Sequence, residues 1–212
     1  MDVDLVPQPW LAAGLHIADD VVYHLTLREG VRWHDGTPFT ADDVAFSIGY
    51  YQTHVLGRFT TSANKVAEVE VGGPLEVSLT LRAPDAGFVQ TGLADLPMLP
   101  RHVWESVDEP RTMASAMGTG PYRVAEYQSD QYYRLVANAG YWGPAPAFDT
   151  IIAAIIRDET ATFQAVLAGE IDVAVRPVPA GLVERFSGRA DISLQQGAGF
   201  PSTILIMDVT HP

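Results

Sequence analysis

The 212-residue sequence predicts a mixed α/β (α+β) fold. Three observations carry the prediction. Short strand-like stretches recur at 21–27, 66–71, 75–81, 122–127 and 132–137, with apolar and polar residues alternating in 21–27 and 75–81. Two helical signatures, near residues 41 and 160, interrupt them. The chain contains no internal repeat and no low-complexity tract that would point to a solenoid or a disordered tail.

In chain order, Tyr23, Leu25 and Leu27 alternate with His24 and Thr26, the pattern of a half-buried strand. Residues 28–30 turn it, 31–33 continue extended, and Asp35-Gly36-Thr37-Pro38 is a strong turn signal. Thr40 precedes Asp43 by three residues, a capping-box spacing with Asp in place of Glu or Gln. Val44, Ile48 and Tyr51 follow at i, i+4 and i+7, so a helix of about three turns starts near Ala41. Residues 66–71 and 75–81 flank Gly72-Gly73-Pro74 as a hairpin. An irregular stretch over 83–97 and a short helix near 101–107 follow. The breaker-rich stretch 108–121 is the best internal boundary. Beyond it, 122–127 and 132–137 pair across Gln128-Ser129-Asp130. The continuous apolar run 151–156 reads as a strand covered on both faces. Thr160 is placed to cap a helix that Gly169 ends in the left-handed conformation. A strand over 170–175 and a short helix around 182–186 complete the pattern. The apolar run 204–209 reads as a strand stopping short of its partner, as in a piece of a larger fold.

Composition excludes several classes of function. With 13 Lys+Arg against 26 Asp+Glu the net charge is −13, and the single lysine, Lys65, and twelve scattered arginines form no phosphate-binding patch. Nucleic acid is therefore not an expected partner. Absence of cysteine removes disulfide scaffolds, thiol nucleophiles and Cys–zinc sites together. No signal-peptide pattern opens the chain, and no apolar run approaches the ~18–20 residues a membrane-spanning helix needs. Dinucleotide, P-loop and nucleophile-elbow motifs are missing. The six histidines show no His-x-His or His-x3-His spacing, so neither a metal site nor a cofactor is expected. Asp19-Asp20 and Asp42-Asp43 read as a turn and a helix start rather than a catalytic acid/base pair. Trp33 and Trp142, each beside a turn, read as core plugs. No catalytic residue is assigned.

A resemblance extends the reading. Residues 27–44 (LREGVRWHDGTPFTADDV) resemble the family 5 extracellular solute-binding proteins, the dipeptide-, oligopeptide- and nickel-binding components of ABC importers. Further blocks agree in order: Pro9-Trp10-Leu11-Ala12, Gly118-Thr119-Gly120-Pro121-Tyr122, Asn138 with Tyr141-Trp142-Gly143, and Ala168-Gly169-Glu170-Ile171-Asp172. The resemblance implies a two-lobed periplasmic-binding-protein fold of which this chain is the first lobe plus its extra subdomain, with the second lobe missing. On that basis 1–117 are mainly the extra subdomain, and 118–212 are a lobe-one segment ending at the hinge strand. It implies capture of a small, peptide-like solute by hinge closure. The implied partners are ABC permease subunits, the full-length protein being a monomer. The implied location is the periplasm or cell surface, with lipid anchoring one option.

Within that frame the shared motifs are structural, and ligand contacts belong on loops at the lobe edge. The candidates are Arg58 and Phe59 after the first helix, Asp95 and Met98 in the long loop, and Phe200 and Ser202 entering the hinge strand. Phe59, Met98 and Phe200 would supply apolar walls, Arg58 would meet a carboxylate and Asp95 an amine. Two alternatives stay open at this point: the ligand-sensing half of a cytoplasmic transcription regulator, and an acid/base hydrolase.

Overall fold

The computed structural model describes residues 6–110, 116–187 and 189–194. The chain divides into two compact units, one spanning 9–174 and the other made of 1–8 and 175–212.

In the larger unit, β1 (Ala12–Ala18), β2 (Val22–Leu27), β3 (Val66–Gly73) and β4 (Glu76–Leu81) form an antiparallel sheet in the order β1-β2-β4-β3. Asp19 and Asp20 turn β1 into β2 at positive φ (51° and 59°), and the Val21 N–H closes the turn on the Ala18 carbonyl at 3.2 Å. Alternation sends Tyr23, Leu25 and Leu27 of β2 and Val77, Leu79 and Leu81 of β4 into the core, all of them buried. Helix α1 (Ala41–Thr53) covers that face with Val44, Ile48 and Tyr51. Its first turn follows the sequence: the Thr40 N–H donates to Asp43 Oδ2 at 2.9 Å. Trp33 is 3% exposed and packs edge-on against Phe39, the plug that the sequence implies. Trp142 is half-buried, lying edge-on to Trp10 with the Arg28 guanidinium 4.6 Å from its ring centre.

The short helix α3 (Arg101–Trp104) precedes a second antiparallel sheet, β5 (Tyr122–Gln128), β6 (Tyr132–Ala137) and β7 (Thr150–Ala154), and α4 (Glu159–Ala168) comes after it. The two sheets both belong to the 9–174 unit. In the other unit α5 (Ala180–Phe186) is the helix expected near 182–186.

Four local expectations are corrected. β7 is an edge strand with Ile152 56% exposed, so the described residues do not cover it on both faces. Residues 170–175 form no strand; Val173 and Val175 are exposed, and among the described residues no strand pairs with this run. Asp158, not Thr160, caps α4, its carboxylate accepting the Ala161 N–H at 2.6 Å. A charged acceptor at the positive helix end outcompetes a hydroxyl two residues inside it. Residues 57–60, read as a loop, instead open a helix, α2 (Arg58–Ala63). Gly169 does end α4 at φ 71°. The terminal run 204–209 lies outside the described residues.

Candidate functional site

Four of the six candidate ligand residues fall at one corner of the larger unit. Arg58 and Phe59 open α2 after Gly57, whose φ of 56° makes the turn. Asp95 and Met98 follow a π-helical turn, Val89–Leu93. The structure brings the two charges together: Arg58 Nε lies 2.9 Å from Asp95 Oδ2, and a terminal guanidinium N–H donates to Oδ1 at 3.1 Å. This is a two-pronged pair in the open, the Arg58 side chain being 72% exposed. Phe59 packs on Tyr51, and Met98 leans on the core beneath. Each candidate charge is thus satisfied by the other. Phe200 and Ser202 lie outside the described residues.

What positions this corner is a ladder that the sequence reading missed. Asp43, Ser47 and Tyr51 step along one face of α1, each reaching the segment 97–101, extended up to Pro100 and entering α3 at Arg101. Asp43 Oδ1 accepts the Arg101 N–H at 2.9 Å, Ser47 Oγ accepts the Leu99 N–H at 2.8 Å, and the Tyr51 hydroxyl donates to the Pro97 carbonyl at 2.9 Å. Four helical residues rise about 6 Å and two extended residues about 6.6 Å, so the two periods match. Asp43 is 5% exposed and also accepts from Trp33 Nε1 at 3.3 Å and the Thr40 N–H. Burial pushes the Tyr51 phenol up to about 12, so it remains a donor. The legible signal was three polar groups at four-residue spacing on an otherwise apolar helix face.

A pocket of about 450 Å³ opens nearby, lined by Thr53, His54, Val55, Leu56, Asp108, Glu109 and Pro110. It contains none of the six candidates. The Tyr50 hydroxyl beneath it donates to the Val107 carbonyl at 2.6 Å, and its phenol is raised by burial and by Asp108 and Glu109. Among the described residues no three His, Asp or Glu side chains gather as a metal cage. The corner thus presents one exposed ion pair beside partly buried apolar side chains.

Comparison with known proteins identifies the lineage. The sequence model of the bacterial extracellular solute-binding proteins, family 5 Middle, matches residues 6–212. The chain belongs to this family. A Brucella ovis protein, whose name assigns it to peptide binding in an ABC transporter, is 29% identical over 197 residues, covering 90% of this chain and 37% of its own length. The crystal structure of NikZ from Campylobacter jejuni in complex with Ni(L-His) superposes with a TM-score of 0.76 at 27% identity, over 86% of this chain and 37% of that one. The Bacillus subtilis oligopeptide-binding protein AppA, in complex with a nonapeptide, gives a TM-score of 0.67 at 28% identity, over 76% of this chain and 34% of that one. The chain thus spans little more than a third of the length of these relatives. Family 5 members are solute-binding proteins rather than enzymes, and extracellular by description. No described helix is long and apolar enough to cross a membrane.

Proposed function

We propose that this chain is part of the solute-capturing component of an ABC import system, working in the periplasm or at the cell surface and delivering a peptide-like solute to membrane permease subunits. The match to the family 5 model over 6–212 carries the reading. In this proposal residues 1–117 are mainly the subdomain added to lobe one, 118–212 lead to the hinge, and the full-length protein acts as a monomer. Capture makes and breaks no bond. A ligand that touches two walls stabilises the closed state over the open one, whereas a ligand touching one wall biases nothing.

Arg58 and Asp95 fit that role in a specific way. An exposed pair contributes only about 0–1 kcal/mol, so a zwitterionic solute can replace it at little cost, its carboxylate on Arg58 and its amine on Asp95. Phe59 and Met98 then line the apolar side; Phe200 and Ser202 stay candidate contacts that lie outside the described residues. Calorimetry with a panel of short peptides tests the reading. The 212-residue chain alone, holding one wall, is expected to bind weakly, and sub-micromolar affinity would overturn the two-wall mechanism. Failure of the protein in its cellular form to bind any member of the panel would sink the solute assignment.

A further inference from the structure

The outer face of the four-stranded sheet carries a feature outside the solute site. His16 on β1 and His24 on β2 are directly paired in register, both exposed, with ring centres 6.0 Å apart and planes inclined by 12°. Ser78 on β4 is the next residue in the same row, its Oγ 2.8 Å from His24 Nδ1. We propose that His16 and His24 form a two-imidazole clip for a hydrated divalent transition ion such as Ni²⁺ or Zn²⁺.

Two imidazoles bound to one ion at ~2.0–2.1 Å in neighbouring positions hold their ring centres about 4.5–5 Å apart, so rotations that bring the two exposed rings about 1 Å closer close the clip. With Nε2 of His24 on the ion, its Nδ1 carries the proton and Ser78 Oγ accepts it, the outer partner that orients a ligating histidine. Water fills the remaining positions. Glu68, Glu70 and Glu76 share the sheet face and the chain carries a net charge of −13; they do not ligate but raise the local cation concentration. Imidazole selects these ions over Mg²⁺ and Ca²⁺, which take oxygen ligands. Local spacing hides the site, because the two histidines are eight residues apart and meet only through strand pairing.

This inference is independent of the solute-capture reading. The test is calorimetric titration of the 212-residue chain with NiCl₂, alongside His16→Asn, His24→Asn, His54→Asn and His211→Asn variants checked for folding by circular dichroism. Losing a direct ligand costs at least what losing an outer-shell partner does, so His16→Asn and His24→Asn should each weaken binding roughly tenfold or more. Ser78→Ala should weaken it less, and His54→Asn and His211→Asn should leave it unchanged. Acidification should release the ion, since the ligating nitrogens must be unprotonated. Absence of a one-equivalent Ni²⁺ site, unchanged affinity in either His16→Asn or His24→Asn, or a loss in His211→Asn would overturn the proposal.

Discussion

At the scale of single residues, the polar groups that matter most to stability are not those on the surface. Asp43 accepts three donors in a site where water does not reach, whereas Arg58 and Asp95 satisfy each other in solvent. Asp43→Ala strands the N–H groups of Thr40 and Arg101 and the indole of Trp33, an expected loss of roughly 3 kcal/mol or more by urea unfolding. Arg58→Ala removes an exposed ion pair and should cost about 1 kcal/mol or less. Equal losses in the two variants would show that burial is not what sets the scale. Gly92 is constrained differently. A Cβ there would stand 2.5 Å from the buried Phe88 ring, which cannot move aside. Gly92→Ala should therefore destabilise by about 1–3 kcal/mol through overpacking, and a neutral midpoint would mean that the π-helical turn rearranges freely.

At the scale of elements, α1 shows what binary pattern conveys and what it omits. Its start, span and buried stripe were legible, because Thr40, Asp43 and the Val44–Ile48–Tyr51 spacing are local signals. Its docking was not legible. Ser47 and Tyr51 bond to residues 52 and 46 positions away, and such partners carry no local pattern. The same limit explains β7 and 170–175, where apolar runs announce strands but burial and pairing depend on distant neighbours. The candidate corner was half legible: loop position picked out Arg58 and Asp95, yet nothing in the sequence said that each would neutralise the other. The ladder makes a graded prediction. Ser47→Ala orphans the buried Leu99 N–H and should cost about 1–3 kcal/mol, while Tyr51→Phe leaves only the Pro97 carbonyl unpaired and should cost about 1 kcal/mol. Denaturant midpoints falling in the reverse order would contradict the assignment of the middle rung as the most deeply buried one.

At the scale of the larger unit, one histidine ties the turn before α1 to the segment that enters the second sheet. The Gly118 N–H donates to His34 Nδ1 at 3.2 Å, and the other ring nitrogen lies 3.2 Å from the Gly120 carbonyl. An N–H can only donate and a carbonyl only accept, so the ring is neutral with its proton on Nε2. A proton added at Nδ1 would face the Gly118 N–H. Burial, joined by Arg123, lowers the His34 value below the ordinary 6.5, against the opposing pull of the Gly120 carbonyl and Asp35. The unfolded chain therefore takes up a proton below about pH 6.5 that the folded chain refuses. Stability should be constant above that pH and fall as pH drops through it toward the lower folded value. Asp35, Asp85 and Glu126 are held below the ordinary carboxylate range, so their contributions disappear only in stronger acid. His34→Gln can keep both hydrogen bonds without titrating, its amide donating to Gly120 and its carbonyl accepting from Gly118. Thermal melts across pH 5–7 should lose most of their slope in that variant. The protection factor for amide exchange at Gly118, taken relative to the intrinsic rate at each pH, should fall on acidification only in the parent chain. An undiminished slope in His34→Gln would place the titrating group elsewhere.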